Sequence, residues 1–203
     1  MKRNHIIWLF LLVVLTPRSL YAVGDPKIGA EKAQVCSACH GSQGISTNPD
    51  WPHLAGQNQR YLIKQLHDFK QGNTRNAPVM AALTANLSDT DIEHIAAFYA
   101  QMPSIKNQAP QTDITRGEAL YRHGDIAKHI TACIACHSPD GTGNTDAGFP
   151  LLRGQQSAYT IQQLQAFKSG QRHNDLNTIM HDISSHMDDN DIKEIAIYLA
   201  NMH

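Results

Sequence analysis

The sequence predicts an all-α protein built from two tandem copies of one domain, and three observations predict it. The chain repeats itself, with an offset that drifts from 97 at Cys36 and Cys133 to 100 at Asp91 and Asp191. Apolar residues recur at helical spacing, as at Leu62, Leu66 and Phe69 and again at Ile92, Ile95, Ala96 and Tyr99, with counterparts in the second copy. No segment shows the sustained alternation of a strand. The composition (203 residues, 41% hydrophobic, 17% charged) is that of an ordinary globular chain and excludes collagen, coiled-coil and disordered classes. With 17 Lys and Arg against 18 Asp and Glu there is no basic surplus to neutralise phosphates, so nucleic acid is not an expected partner.

The elements follow in order. Lys2, Arg3 and His5 precede an unbroken apolar run over residues 6–15, then Thr16-Pro17 and Ser19-Leu20-Tyr21-Ala22. This is the pattern of a Sec-type export signal over residues 1–22. The run is too short for a bilayer span, which takes about 20 residues, so an uncleaved anchor is the weaker alternative. Export implies an oxidising, extracytoplasmic compartment. Without Lys2, Arg3 and Arg18 the formal charge moves from −1 to −4. Residues 23–102 then carry six basic and seven acidic side chains, and residues 103–203 carry eight and eleven. A basic partner suits such a surface, and suits the C-terminal half better.

Asp25 caps a helix that has Pro26 at its first position and runs into Cys36, and Ser88-x-x-Asp91 opens the last helix of the first copy as Asp188-x-x-Asp191 opens that of the second. Three or four helices per half are expected. Between the halves, residues 103–112 are polar and hold Pro103 and Pro110, which fits an extended linker. The domains are thus residues 23–102 and 113–203. Each is small for an independent apolar core and calls for a further staple.

The cysteines supply one. All four lie in Cys36-Ser-Ala-Cys39-His40 and Cys133-Ile-Ala-Cys136-His137, the Cys-x-x-Cys-His pattern of c-type haem attachment. Two thiols one helical turn apart reach the two vinyl-derived carbons of one porphyrin, and the adjacent imidazole then lies under the iron. A disulfide within Cys-x-x-Cys closes a loop too small to constrain much and leaves the histidines unexplained. A zinc ribbon needs its pairs about 15–20 residues apart, and a thioredoxin-like pair needs a βαβ setting. Two covalently bound haem c groups are therefore expected.

The other axial position decides the chemistry. A sulfur ligand saturates the iron and raises its potential, whereas an exchangeable position admits ligand chemistry. Met80 and Met180 correspond across the repeat, each in a loop ahead of the last helix. Met187 aligns with Leu87 and reads as core, and Met102 and Met202 lie at the very end of the final helices. His181 and His186 are the alternative ligands in the second half, but Ala81 and Asn86 stand at their equivalents. The remaining histidines, including His53, are taken as surface residues. Pro52 and Pro150 offer rigid carbonyl acceptors for the outer N–H of a ligating imidazole, with a simple turn as the alternative.

Taken together, Cys-x-x-Cys-His, Pro-x-Leu-x-Gly-Gln, Tyr-x-x-x-Gln-Leu-x-x-Phe-Lys-x-Gly, a Met and Asp-Ile-x-x-Ile-Ala, each present twice across residues 24–203, resemble the dihaem class I cytochromes c of the cytochrome c4 family. The match includes an insertion over residues 121–132, ahead of the second haem motif. The resemblance implies two cytochrome c domains related by a pseudo-twofold, with haem edges close at their interface. It implies His40/Met80 and His137/Met180 ligation, with prolines 52 and 150 behind the histidines. It further implies a periplasmic, monomeric electron carrier that receives electrons from a quinol-oxidising cytochrome bc complex and passes them toward a haem-copper terminal oxidase, with room for peripheral membrane association. The chain departs from the pattern at His181, directly after Met180, and beside the prolines, where Trp51 and His53 face Phe149 and Leu151. Two function classes stay open: a diffusing carrier with both irons saturated, or an enzyme-associated role. The latter is either an electron-accepting subunit of a dehydrogenase or a dihaem enzyme with one labile ligand.

Overall fold

A computed structural model describes residues 24–105 and 113–202. The expected export signal at residues 1–22 and most of the expected linker, residues 106–112, lie outside the described residues, as does His203. The first half holds α1 (Pro26–Lys32), α2 (Gln34–His40), α3 (Gln59–Gln71), α4 (Pro78–Thr84) and α5 (Asp89–Ala100). The second holds α6 (Thr115–His123), α7 (Ile134–His137), α8 (Ser157–Lys168), α9 (Ile179–Ser185) and α10 (Asp189–Asn201). Among the described residues the only extended pairings are three isolated bridges, one of which joins Arg75 to Arg172 across the halves.

Among the described residues, five α-helices per half exceed the three or four expected, for two physical reasons. α4 and α9 are seven residues each, too short to leave a periodic signature. The expected single helix from Pro26 into Cys36 is also two: it starts as foreseen, with Asp25 accepting from the Lys27 amide at 2.8 Å, but breaks at Ala33 (φ −80°, ψ 0°). Ala33 is 1% exposed, packed with Leu62, Ile95, Ala96 and Tyr99. The break lets α1 lie on α5 while α2 turns Cys36, Cys39 and His40 toward the interior.

α5 and α10 are the frame of the two halves, and both begin with complete capping boxes, Ser88 with Asp91 and Asp188 with Asp191. Their buried faces carry Ile92, Ile95 and Tyr99, and Ile192, Ile195 and Leu199. Each crosses the opening helix of its half at a glycine. A Cβ on Gly29 would overlap the His94 carbonyl, and one on Gly117 would overlap the Glu194 carbonyl, so these crossings exist only because the side chain is absent. Met187 lies in the second core as expected, alongside Leu120, Tyr121 and Tyr198.

The insertion over residues 121–132 begins as the last turn of α6, and from Gly124 on it becomes a loop pinned to α10. Asp125 and Ile130 exchange backbone hydrogen bonds at 2.9 Å, and Ile130 is buried in the second core. Arg116 and Lys128 both reach the enclosed Asp191 carboxylate, at 2.8 and 2.6 Å. The loop thereby braces the approach to Cys133.

Candidate haem centres

In the first half, α2 sets Cys36, Cys39 and His40 within one turn. His40 is 7% exposed, and its Nδ1 donates to the Pro52 carbonyl at 2.9 Å. The second half repeats this: His137 is 6% exposed and its Nδ1 donates to Pro150 at 3.0 Å. Burial lowers the pKa of both imidazoles, against the smaller pull of the proline carbonyls. Each ring is thus neutral at pH 7 with its Nδ1 proton committed, which leaves the Nε2 lone pair for a metal. Burial also raises the thiol pKa of Cys36 and lifts that of Cys133 to about 11. The loop after each proline is tied to the last helix, through Gly56 N–H to Tyr99 O at 2.9 Å and Gly154 N–H to Leu199 O at 2.8 Å.

The two sites open into one cavity of about 950 Å³ shared by the halves. Both cysteine pairs, His40 and His137, Pro52 and Pro150, and Met80 and Met180 all line it, so the structure brings every residue singled out from the sequence to one place. The histidines considered as alternative ligands, His181 and His186, do not line this cavity. His181 Nδ1 donates to Phe167 O at 2.7 Å, and His186 Nδ1 bonds Asp182 O at 2.9 Å. Met180 itself is held by its own backbone, since its N–H and that of His181 donate to Asp175 Oδ2 at 2.7 and 3.1 Å. The chain reaches this position through Asn177 and Thr178, both in the left-handed region (φ 51° and 58°). The first half reaches Met80 through Pro78 instead.

Two residues that sequence reasoning missed sit between the sites. Arg75 and Arg172 are 7% and 6% exposed and stack on Phe69 and Phe167 at 4.3 Å. Arg75 donates to Gln65 at 2.5 Å and to Tyr159 at 2.7 Å, while Arg172 donates to Gln163 at 2.8 Å and to Tyr61 at 3.1 Å. These acceptors are uncharged; the carboxylate of Asp68 joins the cluster through Asn174 at 2.6 Å. Burial pushes the Tyr61 phenol up, but the two guanidiniums outweigh it and hold it below its ordinary value. The arginines recur at offset 97 just after Phe-Lys-x-Gly, which is the signal that would have found them.

The residues present fit haem c. Paired thiols adjoin a neutral imidazole, and the lining is apolar, with Leu62, Leu66, Ile95, Leu152, Leu164 and Ile195. Two enclosed cations suit the haem carboxylates, because buried charge is costly unless paired. The Tyr99 hydroxyl, buried at the cavity wall with no partner among the described residues, is a further polar group that a bound cofactor can meet.

The interface between the halves is pseudo-symmetric as well. Gln57 and Gln155 each reach across to the backbone beside the other half's proline, with bonds of 2.8–3.0 Å. His53, expected at the surface, is therefore half-buried at this interface. Its Nδ1 accepts from Ser46 N–H at 3.0 Å.

Comparison with known proteins agrees with this geometry. The family model for cytochrome c matches twice, over residues 27–103 and 114–203. The chain is 42% identical to a cytochrome c4 of Pseudomonas aeruginosa, covering 98% of this chain and 100% of that one. It superposes on the crystal structure of reduced cytochrome c4 from Pseudomonas stutzeri with a TM-score of 0.85 at 40% identity, over 89% of this chain and 100% of that one. A thiosulfate dehydrogenase electron acceptor of Stutzerimonas stutzeri is 36% identical, over 84% of this chain and 80% of its own. The chain belongs to the cytochrome c family, in its dihaem cytochrome c4 group: two tandem cytochrome c domains that bind haem c covalently through Cys36/Cys39 and Cys133/Cys136, in an electron carrier rather than an enzyme.

Proposed function

We propose that the protein is exported by residues 1–22 and works in the periplasm as a monomeric carrier of two electrons, one per haem. In this reading residues 23–102 and 113–203 are the two domains and residues 103–112 their linker. His40 and Met80 ligate one iron, His137 and Met180 the other, and Pro52 and Pro150 orient the histidines. Haem c, when bound, supplies an iron that changes by one electron between ferric and ferrous states. The chain's part is to keep both axial positions filled, hold each ring nitrogen's proton on a proline carbonyl, and enclose the sites in apolar side chains. The observation that carries the reading is the double arrangement in one cavity: Cys-x-x-Cys-His, a proline acceptor at 2.9 or 3.0 Å, and a methionine in the lining. Saturated irons leave no open position of the kind a metal catalyst needs.

The electrons pass, in this proposal, from a quinol-oxidising cytochrome bc complex to a haem-copper terminal oxidase. Among the described residues no helix is long and apolar enough to cross a membrane. A second reading, acceptor subunit of a thiosulfate dehydrogenase, is favoured by the 36% identical electron acceptor. Stopped-flow reduction by each donor, across ionic strength, separates the two. The carrier reading expects fast, salt-weakened reduction by the bc complex, because the acidic surface steers a basic partner. Reduction by thiosulfate dehydrogenase alone, with copurification, would replace it by the second reading.

A further inference from the structure

The same peptide groups that support the axial histidines are held from the opposite domain. The Pro52 carbonyl, which accepts from His40 Nδ1 at 2.9 Å, belongs to the peptide whose N–H is that of His53, and this N–H donates to Gln155 Oε1 at 2.9 Å. Gln155 Nε2 closes the ring by donating to His53 O at 3.0 Å. In the second half the Pro150 carbonyl accepts from His137 Nδ1 at 3.0 Å, and the N–H of the same peptide, that of Leu151, donates to Gln57 Oε1 at 2.8 Å. Gln57 Nε2 donates to Leu151 O at 2.9 Å. Both glutamines are buried, at 5% and 7% exposure.

We propose that Gln57 and Gln155 are crossed positioning residues: each amide tunes the haem of the other domain through the proline peptide behind that haem's histidine. The inference rests on the ligation by His40 and His137 given above. Its physics is hydrogen-bond cooperativity. An acceptor on a peptide N–H moves electron density onto the carbonyl of the same peptide, by about 10–30% per bond in strength. A stronger carbonyl acceptor draws the imidazole proton further and raises the basicity of the ligating nitrogen. A more basic ligand favours the ferric state, so Gln155 lowers the potential of the N-terminal haem and Gln57 that of the C-terminal haem. Docking of the domains and the potentials of the irons are thereby linked without any direct contact between ligands.

The test uses the full-length, haem-loaded protein. Potentials of the individual haems are followed by NMR redox titration, with the hyperfine-shifted ring N–H proton of each axial histidine as a second readout. In Gln155→Leu the N-terminal haem becomes easier to reduce, with its reduced-to-oxidised ratio at fixed potential up roughly threefold, or about 28 mV at 59 mV per decade. The C-terminal haem stays put. Gln57→Leu does the reverse. Gln155→Glu keeps an acceptor for the His53 N–H and adds charge, so it moves the N-terminal haem the other way, which holds the proposal to account if the leucine variant folds poorly. Thr145→Val removes an exposed cross-domain bond to Asn58 (3.0 Å) that touches neither proline peptide, and moves neither haem. A shift confined to the glutamine's own domain, an equal shift of both haems, or no shift overturns the proposal. Absence of a shifted histidine N–H in the unsubstituted protein would instead contradict the ligation itself.

Discussion

Replacing Met180 by alanine isolates one iron from the other. Met180 lines the shared cavity from the first turn of α9, whereas His181 and His186, the imidazoles nearest in sequence, lie outside its lining. Neither is placed to substitute for the lost sulfur, and in the proposed ligation Met80 serves the other half. The expected result is therefore stoichiometric: half of the methionine-to-iron absorption disappears, and the ferrous protein takes up one carbon monoxide per two haems. Covalent attachment through Cys133 and Cys136 persists, so the haem count by pyridine haemochrome stays at two. The fold loses about 2 kcal/mol, the low end for truncating a Met to Ala, because Met180 is only half-buried. Carbon monoxide titration with the haemochrome count is the assay. No carbon monoxide uptake, or a spectrum of bis-imidazole ligation, would refute the role given to Met180, and loss of one haem would show that the residue holds structure instead.

Three other perturbations test the frame and the cluster. Gly117→Ala should destabilise the protein in guanidinium titrations although alanine favours a helix by about 1 kcal/mol, because its Cβ meets the Glu194 carbonyl and overpacking costs about 1–3 kcal/mol; a net gain would mean that the helices part freely. Asp91 and Asp188 are held near a pKa of about 2, by Lys32 with Ser88 and by Lys128 with the Asp191 amide respectively. Their folded values lie below the usual 3.8, so their contribution is complete above pH 4 and fades as pH falls toward 2; loss of helical circular dichroism should steepen in that window, and less so in Asp91→Asn. Arg172→Met removes a buried cation that would pair with haem carboxylates and should lower the haem potential; an unchanged potential would place the pairing of those carboxylates elsewhere.

What the sequence made legible was whatever is local or repeated. The haem motifs, the proline acceptors and the capping boxes are short-range patterns, and the duplication singled out Met80 and Met180 by comparing one half with the other. The break at Ala33 was not legible, because Lys32, Ala33 and Gln34 all favour a helix and the change of direction comes from burying Ala33 against Tyr99 and Leu62. Gln57 and Gln155 were visible as a repeated Gly-Gln, but their work is done across the interface and depends on how the halves dock. For the same reason His53 looked like a surface residue. Arg75 and Arg172 were passed over because a charge read along the chain is a solvated charge by default, and only the packing of two domains encloses them.

In the proposed ligation one chain holds two saturated irons and moves electrons without binding substrate. Optical spectra of the exported, haem-loaded protein, ferric and then ferrous with carbon monoxide added, are the decisive measurement. Two saturated irons give a methionine-to-iron band with the intensity of two haems and a ferrous spectrum that carbon monoxide does not alter. Uptake by half of the haem in the unsubstituted protein would contradict this ligation, since one axial position would then be open to ligand chemistry.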